Sequence, residues 1–82
     1  MRYRLTPHAE KRMRERAISL NVVRDCLQNP DKVSYDEKGR YLLKKRYDKS
    51  GKQRLLMIAV ERKGGVQEVI TVIDTSKVKK YL

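Results

Sequence analysis

The chain has 82 residues, enough for one domain (residues 1–82) with a core that is modest for its surface. Lys and Arg number 21 against 10 Asp and Glu, a formal net charge of +11, which favours a polyanionic partner: RNA, DNA or an acidic protein. The longest apolar run, residues 55–60, is too short to span a bilayer, and no apolar leader stands at the start. Cys26 is the sole cysteine and cannot form an internal disulfide, so a reducing cytoplasm with no membrane contact is the expected setting.

In chain order, residues 2–5 are compatible with a short strand or an extended lead-in. Thr6 is a helix cap and Pro7 a first-turn residue, which predicts a helix over about 7–16. At about 100° per residue His8, Arg12 and Arg16 share one side of it, beside Ala9 and Met13. Ser19 caps a second helix, whose apolar face is Leu20, Val22, Val23, Cys26 and Leu27, and Asn29-Pro30 stops it. Cys26 on that face reads as a core thiol.

A meander follows, with strands predicted over 32–36, 40–47, 54–61 and 66–74. Turn chemistry lies at Glu37-Lys38-Gly39, at 48–52 and at Gly64-Gly65. The unbroken run Leu-Leu-Met-Ile-Ala-Val marks the third of these strands as central and buried on both faces. Residues 75–82 read as a short helix or tail. The expected architecture is α+β: two N-terminal helices packed on an antiparallel sheet of about four strands. Two helices cover one sheet face, so the other is expected to be covered by a terminal segment, a second copy or a partner.

Two groups of residues invite chemistry. Arg12 and Arg16, one turn apart, suit a phosphodiester clamp, because planar guanidiniums bind phosphate oxygens in pairs. The helix dipole and the neighbouring cations disfavour an imidazolium at His8, which suits a general base. The plainer alternative is that Arg12 and Arg16 tie the helix to Glu61, Glu68 or Asp74. The second group is a basic hairpin: Lys38, Arg40, Lys44, Lys45, Arg46, Lys49, Lys52 and Arg54 stand against Asp48 alone, with Tyr41 and Tyr47 interleaved. Cations along a backbone with aromatic faces for bases suit single-stranded RNA, with Arg40, Lys44, Arg46, Tyr47 and Arg54 as contacts. A solvated, lysine-protected edge hairpin is the bland alternative. Nothing in the spacing of His and Cys makes a metal site, and no cofactor is implied.

The series His8-Ala9, Arg12-Met13, Glu15-Arg16, Ile18-Ser19, then a helix and Asn29-Pro30, resembles the opening of the domain of unknown function 4258. The late Val69-Ile70-Thr71-Val72-Ile73 strand fits that family's ending. That family is similar to the RelE and BrnT ribonuclease toxins of toxin–antitoxin pairs, which share a compact α+β fold. The resemblance implies a metal-independent RNA endonuclease neutralised by an acidic antitoxin-like protein, with His8, Arg12 and Arg16 as its characteristic residues. A homodimer, or a binding module without catalysis, is compatible with the same residues.

Overall fold

The structure is a computed structural model that describes residues 2–36 and 38–82. Its elements run β1 (Arg2–Leu5), α1 (Pro7–Glu15), α2 (Leu20–Gln28), β2 (Lys32–Tyr35), β3 (Arg40–Lys49), β4 (Lys52–Lys63), β5 (Val66–Thr75) and α3 (Val78–Tyr81). The strands form one sheet in the order β1-β5-β4-β3-β2. Strands β2 to β5 are antiparallel neighbours, but β1 lies parallel to β5, with Leu5 beside Val69.

This corrects the expected fold. Two N-terminal helices on about four antiparallel strands give way to a five-stranded mixed sheet that opens with a strand, and the RelE/BrnT-like layout attached to that expectation falls with it. The physical reason lies in residues 2–5. They are too short for alternation to identify them, and their partner is the far end of the chain.

Thr6 joins three elements at one point. Its backbone N–H donates to the Val69 carbonyl at 3.1 Å, extending the β1–β5 pairing by one residue. Its hydroxyl accepts from the Ala9 N–H at 3.1 Å, the cap that opens α1, and donates to the Ile70 carbonyl at 3.0 Å. Ile70 is the extra residue of a bulge, since Ala59 faces Thr71 and Val60 faces Val69. Helix α1 is therefore seated on β5 from its first turn. It ends with Ala17 in the left-handed region (φ 52°), while Ala17 N–H donates to the Arg14 carbonyl and Ile18 N–H to the Met13 carbonyl. This pair of bonds is a Schellman closure, and Ile18 and Met13 both join the core.

The core lies between the helices and one sheet face. Ala9, Ile18, Val23 and Cys26 meet Leu43, Leu56, Ile58, Val60, Val69 and Val72 there. The central strand behaves as its apolar run implies: Leu55, Leu56, Met57, Ile58 and Val60 are all buried. Leu55 and Met57 alternate away from the helices, onto the face that also carries Lys44 and Arg46. There Lys44 Nζ donates to the Tyr81 carbonyl at 2.7 Å, so the C-terminal helix α3 lies over that face. Ile73 on the same face remains 43% exposed, so the cover is partial. The β3–β4 turn is the two residues Ser50-Gly51, both at positive φ, as a tight twisted hairpin demands. In the preceding turn, Glu37 lies outside the described residues; Gly39 takes φ 78°.

Candidate nucleic-acid interface

The tight turn sets the register of the hairpin. Lys49 faces Lys52 and Tyr47 faces Arg54, all on the helix-bearing side of the sheet. Asp74, near the end of β5, reaches the same side, because it pairs with Leu56 of the core. Its carboxylate is only 4% exposed. It accepts from Arg54 Nε at 2.9 and 3.0 Å through its two oxygens, and from the Tyr47 hydroxyl at 2.6 Å. Meanwhile α1, running along β5, brings its last turn to the hairpin tip, where Lys49 Nζ donates to the Arg16 carbonyl. The result is a groove of about 500 Å³ whose walls carry Arg16, Lys49, Lys52 and Arg54, with Glu15 and Asp74 at its edge.

Charge in the groove is held in place by the buried carboxylate. Burial pushes the Asp74 carboxyl up, but the hydrogen bonds from Arg54 and Tyr47 outweigh it and hold the group below its ordinary range. The bond to Asp74 raises Arg54 further still, so its guanidinium stays charged. Tyr47 is pushed up to about 12, by burial first and then by Asp74, so the phenol keeps its proton across the physiological range. The site can thus present a fixed guanidinium among further cations, donors that suit phosphate oxygens, while the Tyr47 phenol spends its proton on Asp74. Among the described residues, no three His, Cys, Asp or Glu side chains come together to hold a metal ion.

The residues singled out from sequence are dispersed. His8, Arg12 and Arg16 are exposed on α1, and their side chains make no hydrogen bond or ion pair among the described residues. Arg16 alone of the three lines the groove. Of the anchoring partners proposed for them, Glu68 takes Arg4 at 2.6 Å and Lys63 at 3.7 Å, Asp74 takes Arg54 and Tyr47, and Glu61 makes no ion pair among the described residues. The predicted RNA contacts divide between the two sheet faces. Tyr47 and Arg54 are in the Asp74 network. Arg40, Lys44 and Arg46 lie on the opposite face and are paired with Asp36 at 3.4 Å, the Tyr81 carbonyl, and Asp31 at 3.6 Å respectively. Lys49, Lys52 and the organising Asp74 were not among the predicted site residues. Counting outward from Ser50-Gly51 as a two-residue turn would have paired Tyr47 with Arg54, but nothing local points to Asp74.

The family model for the Domain of unknown function (DUF4258) matches residues 5–80. The chain belongs to that family. The DUF4258 match takes in α1, the hairpin and Asp74, and so the whole groove. No curated protein and no solved structure matches the chain. Among the described residues of this DUF4258 domain, no helix is long and apolar enough to cross a membrane.

Proposed function

We propose that this protein binds RNA along its phosphate backbone and cleaves it as a toxin-type, metal-independent endoribonuclease. The observation that carries the reading is the groove in which Arg16, Lys49, Lys52 and Arg54 converge around a carboxylate that fixes one of them in place. Fixed cations stabilise the extra charge of a pentacoordinate phosphorus without reorganising, which is where such catalysis gains most. His8 is the base in this scheme. The basic groove also suits an acidic antitoxin-like protein, which would compete with RNA for it.

A non-catalytic RNA-binding module is the second reading, favoured by the position of His8 and Arg12 outside the groove's lining. One experiment separates the two. Single-stranded RNA is incubated in chelator with wild type, His8→Ala and the double variant Lys49→Ala/Lys52→Ala. Cleavage by wild type, lost in both variants, supports the scheme. Equal cleavage by His8→Ala removes His8 from it, and RNA binding without product selects the binding module.

A further inference from the structure

A second cleft opens on the helix-bearing side at the other end of the same strands, about 26 Å from the groove if eight residues of β4 separate Arg54 from Arg62. It measures about 380 Å³ and is walled by Tyr35 and Tyr41, with Val33 and Leu27 beside them and Arg62 and Gln67 at the far side. Its polar groups are poorly served by the protein itself. The Tyr41 hydroxyl is buried and has no hydrogen-bond partner among the described residues. Gln67 is 8% exposed, and its amide makes no hydrogen bond within the described residues. Arg62 is exposed and forms no ion pair there. A buried polar group without a partner is costly, and the Tyr41 hydroxyl, set beside an unbonded amide and an exposed guanidinium, calls for a ligand with a polar edge. The aromatic wall is equally unusual: Tyr35 is 78% exposed, its ring 5.8 Å from that of Tyr41 and tilted by 49°. An edge-strand tyrosine this exposed offers a flat apolar face to a flat ligand.

We infer that this cleft takes an unpaired base of single-stranded RNA, stacked on Tyr35, with its hydrogen-bonding edge toward Gln67 and Tyr41 and its phosphate near Arg62. A nucleobase combines the properties the cleft lacks partners for: a planar face, donors and acceptors along one edge, and an adjoining negative charge. The inference rests on the RNA-binding reading and adds to it a base-reading site remote from the cationic groove.

The test is titration of wild type, Tyr35→Ala, Gln67→Ala and Lys49→Ala/Lys52→Ala with two oligomers of equal length. One is single-stranded RNA; the other is an abasic strand with the same phosphates. Tyr35 is exposed at the sheet edge, so its removal leaves the core untouched. The expected result is that Tyr35→Ala weakens RNA binding about tenfold, as loss of one base stack does, and leaves abasic binding unchanged. Gln67→Ala should reorder preference among homopolymers. The double lysine variant should weaken both oligomers alike. If Tyr35→Ala and Gln67→Ala bind RNA as wild type does while the lysine variant does not, the base site is overturned and the phosphate groove stands. If wild type binds neither oligomer, both readings fall.

Discussion

Asp74 is the residue on which the groove's chemistry turns. Removing its carboxylate should let the Tyr47 phenol ionise more readily, and phenolate absorbance in Asp74→Ala should show one tyrosine moving down from about 12 toward its ordinary value. The variant should also be less stable by about 1–3 kcal/mol near neutral pH, because the Tyr47 hydroxyl and the Arg54 guanidinium lose their partner. Since the folded carboxyl lies below its unfolded value, that stabilisation is present above the unfolded pKa and is lost as the pH falls through the folded one. Denaturation curves of wild type and variant should therefore converge in acid; a gap that stays constant to low pH would show that the loss is not carried by ionised Asp74. None of this was legible in sequence, because Asp74 lies 20 residues from Arg54 and 27 from Tyr47 and pairing across strands leaves no local trace. Cys26, by contrast, was read correctly from its helical face: it is fully buried, and burial, then Asp25, pushes its thiol up to about 12.

At the scale of elements, local signals worked where the periodicity was their own. Thr6-Pro7 and Ser19 mark the helix starts, and both side chains accept a bond from the first turn. The run over residues 55–60 identified the central strand because burial on both faces abolishes alternation. The end of α1 carries a correctable strain. Ala17 holds a left-handed conformation in which glycine is at ease, and it does so to close the helix beside the groove. Ala17→Gly should stabilise the protein by about 0.5–1 kcal/mol, the relief being partly offset by the greater freedom of the unfolded chain. Chemical denaturation is the measure; a loss of stability would mean that the methyl group contributes packing the exposure of Ala17 does not suggest.

For the molecule as a whole, charge is abundant but its placement decides what it does. Much of the basic excess is tied up locally: Arg40, Lys45 and Arg46 lie within 4 Å of Asp36 or Asp31, and Arg4 and Lys63 share Glu68. If the groove is the RNA site, few cations displace counterions. A plot of log affinity against log salt should then fall with a slope of about −2 to −3, for three or four phosphates on a single strand. A slope several times steeper would mean that the opposite sheet face, with Lys44 and Arg46, binds as well. Composition alone gives a net charge of +11, but which cations converge depends on the turn at Ser50-Gly51 and the seat of α1.

That seat has a consequence in time. The first strand finds its neighbour, and Thr6 its carbonyl, 64 residues further along the chain. During synthesis β1 and α1 emerge early but have nothing to dock on until β5 has followed. The groove is incomplete until β5 supplies both Asp74 and the seat on which α1 brings Arg16 to Lys49. A nascent chain that stops short of β5 would carry the basic hairpin without the helix that completes its groove. Any activity of the groove is thereby withheld until almost all of the described chain has been made.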